Sequence, residues 1–220
     1  MFIINCKNYD EIAGDKIIKI AKISERISKK YKVPIAIAPP HHLIPLITKF
    51  KITVLAQHVD NKKVGSTTGF MVPEIVKKSK INGSIINHSE HRISEKEIIS
   101  LVKRLQKLKL KTVLCVKNVN EAKKFAKLNP TFIAIEPPEL IGTGRAISTE
   151  KPALITNAVK AVSSAKNSTK LLCGAGIVSG QDVSKAKELG SKGILVASGI
   201  VKAKNWEKII SEFCKGLKSQ

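Results

Sequence analysis

Aromatic residues are scarce in this 220-residue chain: one Trp, two Tyr and six Phe make up 4% of its positions. A protein that grips single-stranded nucleic acid by base stacking needs a platform of such rings, and this composition is thin for one. Cysteine is sparse as well. Cys6, Cys115, Cys173 and Cys214 stand far apart with no Cys-x-x-Cys pair. His41, His42, His58 and His91 are not paired at metal-ligand spacing. Neither a zinc site nor a disulfide framework is therefore indicated, and a reducing, cytoplasmic setting is expected. No apolar run approaches the roughly 18 residues a membrane span requires. The opening MFIINCKNY has neither the basic region nor the cleavage site of a secretion signal. No Pro-, Gly- or Ser-rich linker interrupts the chain, so it reads as one domain over residues 1–220. Negative charge is the last shortage, with 17 Asp and Glu against 39 Lys and Arg and a net charge of +22. A polyanionic partner is one reading of that balance. The lysines are scattered over nearly every helical stretch, which favours solvated helix faces, so specific nucleic-acid binding is not expected.

What is present is alternation. Short β-rich apolar runs recur at 2–6, 33–38, 52–56, 84–87, 112–116, 131–135, 170–173 and 193–196. They are apolar on both faces, as strands of a buried parallel sheet must be. Between them lie Lys-rich stretches of helical period. Ile17, Ile20, Ala21 and Ile27 form one apolar face, and Ile98, Leu101, Val102, Leu105 and Leu108 another. Ser94-x-x-Glu97 and Ser179-x-x-Asp182 read as helix starts, where a hydroxyl takes an orphan amide. Eight such units predict an α/β fold, a single-domain (β/α)8 barrel, for which about 200 residues is the lower size limit. The alternative is an open doubly wound sheet. Its dinucleotide motif is missing, because Gly174-x-Gly176 is followed next by Gly180.

In a barrel the carboxyl ends of the strands converge on one mouth, and polar residues there read as catalytic. The first run ends in Asn5-Cys6-Lys7, the fourth in Asn87-His88-Ser89-Glu90, and the sixth in Glu136 followed by Pro137-Pro138. The seventh leads into Gly174-Ala175-Gly176 and the eighth into Ala197-Ser198-Gly199, small residues that let backbone amides approach an anion. Taken singly each has an ordinary alternative. Lys7 is one lysine among many, His88 reads equally as a structural histidine, and Glu136 as an acceptor for a turn amide.

Their ordered combination resembles the triosephosphate isomerase family in its short archaeal form. The motifs are Asn5-Cys6-Lys7, Asn87-His88-Ser89-Glu90, the stretch EPPELIGTG from Glu136 to Gly144, Cys173-Gly174-Ala175-Gly176 and Leu195-Val196-Ala197-Ser198-Gly199. The resemblance covers essentially the whole chain. It implies an aldose–ketose isomerase that interconverts dihydroxyacetone phosphate and glyceraldehyde 3-phosphate through an enediolate, in glycolysis and gluconeogenesis. Glu136 would be the base and His88 the electrophile, a neutral imidazole at the start of a helix formed by Ser89 to Arg92. Lys7 would be a cation near the substrate oxygen and phosphate, and Asn5 its hydrogen-bonding partner. Cys6, Ile141, Gly176, Ala197 and Ser198 would complete the substrate and phosphate site. Pro137 to Thr143 would form a closing lid, Glu90 would orient Lys7, and Thr68 would reach toward a neighbouring subunit. The resemblance further implies small phosphorylated triose substrates, no metal or organic cofactor, and a homo-oligomer, a dimer or more often a tetramer. The chain departs from the family at His91, where Arg or Asn is usual before Arg92, and at Thr67, which replaces a frequent His or aromatic residue. Other phosphate-binding barrels, such as aldolases or indole-glycerol-phosphate synthase, fit less well because no Schiff-base lysine stands where Glu136 does.

Overall fold

The computed structural model describes residues 1–218. Eight strands, β1 (Phe2–Asn5), β2 (Ile35–Ala38), β3 (Thr53–Ala56), β4 (Gly83–Ile86), β5 (Lys111–Val116), β6 (Phe132–Ile135), β7 (Lys170–Cys173) and β8 (Ile194–Val196), follow the eight apolar runs with ends that differ by at most two residues. They form a closed parallel barrel in sequence order, with β1 joined to β8 by Phe2 opposite Ile194 and Ile4 opposite Val196. The open-sheet alternative is thereby removed.

Both faces of the strands are apolar, but they face different neighbours. Ile3, Ala36, Ala38, Leu55, Ile85, Val113, Cys115, Phe132, Ala134, Leu172 and Leu195 pack together as one cluster inside the barrel. Phe2, Ile4, Cys6, Ile35, Ile37, Ile133 and Ile135 instead join the larger layer between strands and helices. Side chains alternate along a strand, so this division sets the direction of every residue at the mouth.

The helices bury the predicted stripes. Helix Lys16–Tyr31 inserts Ile17, Ile20, Ala21 and Ile27, and helix Glu95–Lys107 inserts Ile98, Leu101, Val102 and Leu105. Each such side chain contributes about 1.5–3 kcal/mol of burial. Both expected capping boxes form: Ser94 accepts from the Glu97 amide, and Ser179 from the Asp182 amide, with the acid reaching back in each case.

Candidate active site

Strand parity explains how the mouth is furnished. Asn5 continues the inward series of Ile3, Glu136 that of Phe132 and Ala134, Gly174 that of Leu172, and Ala197 that of Leu195. Glu136 is consequently 5% exposed and Asn5 likewise 5%. Lys7 and Asn87 adopt left-handed conformations, with φ of 47° and 57°. At both positions the chain turns sharply at the end of a strand, and side chains hold the turn. Asn5 Oδ1 accepts the Lys7 amide at 3.1 Å, and Gln57 Nε2 donates to the Lys7 carbonyl at 2.9 Å. Asn87 Nδ2 donates to the Cys115 carbonyl at 2.9 Å, while Arg92 donates to the Asn87 carbonyl at 2.9 Å. That turn delivers His88, 6% exposed, to the mouth.

The expected helix directly after His88 does not form. Residues 89–93 make a turn, and the helix begins at Glu95 because Ser94 supplies its cap. The Glu90 amide still donates to His88 Nδ1, at 3.3 Å. An amide hydrogen aimed at Nδ1 makes that nitrogen an acceptor and leaves Nε2 as the ring's N–H donor. The Glu90 carboxylate takes Lys7 Nζ at 2.6 Å.

His88 Nε2 lies 3.6 Å from Glu136 Oε2. Among the described residues that buried carboxylate oxygen has no hydrogen-bond partner, an arrangement that costs free energy and is therefore rare away from functional sites. Against Glu136 lies Cys115 from β5. Burial first, then the Glu136 charge and a hydrogen bond to that carboxylate, hold the Cys115 thiol well above its ordinary range, so it remains S–H.

Lys7, Asn5, His88 and Glu136 line one cavity of about 50 Å³ together with Ile141, Gly176, Ala197 and Ser198. Asn5, Lys7 and His88 also line a groove of about 800 Å³. The stretch after Glu136 makes a short 3-10 turn, Pro138–Leu140, with Leu140 buried, and then lines the cavity with Ile141, Gly142 and Gly144. Thr143 Oγ1 donates to the Leu140 carbonyl at 2.9 Å and accepts the Arg145 amide at 3.1 Å. Glu139 pairs with Lys151 at the far end of this segment. Gly176, at φ 70°, has no room for a Cβ, which would lie 1.8 Å from the Arg145 carbonyl oxygen.

One expected site residue lies elsewhere. Cys6 has the parity of Phe2 and Ile4, so its side chain enters the strand–helix layer, fully buried, and does not line the cavity. Burial there pushes its thiol up to about 12. Thr68 is exposed at the tip of the loop after β3. Cys115, Gln57 and Arg92 belong to the site without having been singled out, and Gly174, expected beside an anion, packs against Glu136. The sequence signal for Cys115 and Gly174 was their spacing from inward residues, which becomes legible once the inward face is known. Among the described residues no group of three or more His, Cys, Asp or Glu is placed to hold a metal ion.

A closed parallel (β/α)8 barrel with a carboxylate and an imidazole at its mouth, a loop lining the same cavity, and small residues at the ends of β7 and β8, defines an enzyme of the phosphate-binding barrel class. Comparison with known proteins narrows this. A family model described as triosephosphate isomerase matches residues 1–213. The chain is 52% identical over 217 residues to the triosephosphate isomerase of Cenarchaeum symbiosum, covering 99% of this chain and 97% of the relative. It is 42% identical to that of Methanocaldococcus jannaschii, covering 98% and 99%, and 40% identical to that of Methanothermus fervidus, covering 96% of each. The chain belongs to the triosephosphate isomerase family. It catalyses the glycolytic interconversion of dihydroxyacetone phosphate and glyceraldehyde 3-phosphate.

Proposed function

We propose that Glu136 is the base of this reaction and that His88 and Lys7 stabilise the enediolate it generates. The observation that carries the assignment is the buried, unpartnered Glu136 Oε2, 3.6 Å from His88 Nε2. A proton must leave one carbon of the triose and return to its neighbour, and a carboxylate beside both carbons performs the two transfers. As the proton leaves, charge develops on the substrate oxygens. His88 Nε2–H donates to them, and Lys7, held in direction by Glu90, supplies a fixed positive charge. Donors already in position in a site closed to water give a large electrostatic contribution. Asn5 supports the Lys7 turn. Backbone amides at Gly176 and at Ala197-Ser198 bind the phosphate, with Ile141 packing over the substrate when the lid of residues 137–143 is closed.

The chain acts as a homo-oligomer. Val64, Phe70 and Ile75 are 56, 45 and 46% exposed around the loop after β3, an apolar surface that a second copy would cover. Thr68 sits at that loop's tip and would enter the neighbouring subunit's groove, with tetramers formed by pairing of dimers. No described helix is long and apolar enough to cross a membrane, and a glycolytic substrate points to the cytoplasm.

A coupled assay with glyceraldehyde 3-phosphate tests the roles. Glu136→Gln should lower kcat by about 10²–10⁴-fold in a folded protein, and Glu136→Asp should lower it less. A Glu136→Gln enzyme that kept most of its rate would end the assignment. Light scattering on wild type and Phe70→Glu tests the assembly: the variant should be smaller, and a monomeric wild type would refute it.

A further inference from the structure

His58 follows β3 and His91 follows β4, yet their rings lie face to face, with centroids 3.9 Å apart and planes 17° from parallel. His58 is 9% exposed, and its buried Nδ1 has no hydrogen-bond partner among the described residues. Its Nε2 stands 3.5 Å from Asp60 Oδ1, and its amide donates to His41 Nε2 at 3.3 Å. On the other side, the His91 amide donates to the His88 carbonyl at 2.9 Å. Between them Glu90 holds Lys7 Nζ by its carboxylate and His88 Nδ1 by its amide. The stack therefore anchors one end of a short turn whose other end is the imidazole facing Glu136.

We propose that His58 and His91 are positioning residues for the isomerisation: stacked face to face they hold the His88–Glu90 turn, and a proton on the buried His58 releases that turn and lowers turnover. The proposal rests on the roles given to His88 and Glu90 above. Two cationic rings at this separation repel each other, and a buried one loses hydration besides. The groups facing the pair come from five segments. His41 and His42 follow β2, and Asp60 and Lys62 follow His58 itself. Glu90 and Arg92 flank His91, Lys7 and Tyr9 follow β1, and Glu97 lies on the next helix. Asp60 favours a proton on His58, but burial, the largest influence, together with His91 and His41, holds the His58 pKa below its ordinary value. His41 moves the same way, by burial first. A base kept neutral by the fold takes its proton later than the unfolded chain does as pH falls. The stack is therefore intact above about pH 6.5 and is lost as pH drops through the folded-state value of His58.

The test compares wild type, His91→Phe and His91→Lys by kcat and KM from about pH 5 to about pH 8.5, a range that brackets histidine titration, with circular dichroism at each pH. Phe keeps an uncharged ring for the stack, and Lys installs a permanent charge. Ionisation of the substrate phosphate and of Glu136 acts on all three proteins alike, so ratios at each pH isolate the pair. The His91→Phe to wild-type ratio of kcat should rise from about 1 near pH 8 to about 3–10 near pH 5.5, as expected for one titrating group. His91→Lys should resemble acid-treated wild type already at pH 8, with kcat lowered and KM little changed. A ratio that stays flat with pH overturns the proposal, and so does His91→Lys with full turnover at pH 8. If His91→Lys does not fold, the Phe ratio decides alone. A His88→Gln enzyme with unimpaired kcat would instead bring down the roles on which the proposal rests.

Discussion

Gly174→Ala tests the geometry of the base without touching its chemistry. A Cβ at position 174 would lie 2.4 Å from Glu136 Cγ and 2.8 Å from both Cδ and Oε1. Non-bonded carbons rest about 3.5–4.0 Å apart, so the Glu136 side chain must retreat by about 1 Å. It cannot do so freely, because Cys115 and His88 stand on its other sides. A displacement of about 1 Å in a reacting group lowers the rate about 10²-fold, which is about 2.7 kcal/mol on the barrier. Gly174 is not in the left-handed region, so Ala adds no backbone strain, and overpacking should lower stability by about 1–3 kcal/mol. The phosphate-binding residues do not move, so the loss should fall on kcat with KM within about threefold of wild type. Steady-state kinetics in both directions, with a thermal melt to show a folded protein, measures this. A kcat within about threefold of wild type, or a defect confined to KM, would refute the inference that Glu136 works at a distance fixed by Gly174.

Other perturbations separate stability from catalysis. Ser94→Ala removes the capping box of helix Glu95–Lys107 and should lower stability by about 1 kcal/mol, visible in urea melts, with kcat unchanged. Glu74 is held below its ordinary value of 4.5, first by its hydrogen bond to Arg104. A carboxylate with a depressed folded-state pKa stabilises fully above its unfolded value and loses that contribution as pH falls through the folded one. Arg104→Ala should therefore be less stable than wild type at pH 7, by about 0.5–1 kcal/mol for a partly exposed pair, and the gap should narrow as pH falls below 4.5 through the folded-state value of Glu74. Gly176→Ala should impair more than Gly174→Ala, because it meets the Arg145 backbone at 1.8 Å in a left-handed conformation; its melting temperature and its KM should both worsen.

Much of the barrel was legible because its signal is repeated. Eight doubly apolar runs separated by helical stripes leave few other folds, and the structure moves strand ends by only one or two residues. Helix starts were readable where a capping box announces them, as at Ser94 and Ser179. The turn after His88 was not. Ser89 to Arg92 contains residues compatible with a first helical turn, but Arg92 donates to the Asn87 carbonyl, the Ile93 amide to Asn87 Oδ1, and Asn87 Nδ2 in turn to the Cys115 carbonyl on β5. Local sequence does not contain β5, so it cannot report that competition.

The same reason explains Cys6. Asn5, Cys6 and Lys7 are adjacent, and adjacency suggested that all three line the site. In a strand buried on both faces, apolar content does not say which face is which, and parity stays hidden until the barrel closes. Closure assigns Ile3 and Asn5 to the inside and Phe2, Ile4 and Cys6 to the outside. It also assigns Cys115 and Gly174 to the inside, from two different strands, on either side of Glu136. The base is therefore aimed by residues that carry no chemistry of their own, and their identity follows from counting by twos along β5 and β7 from residues already known to face inward. A small residue at 174 and a thiol at 115 are what that count leaves room for. This is why a single added carbon at Gly174 should disable the enzyme more specifically than the loss of any surface charge.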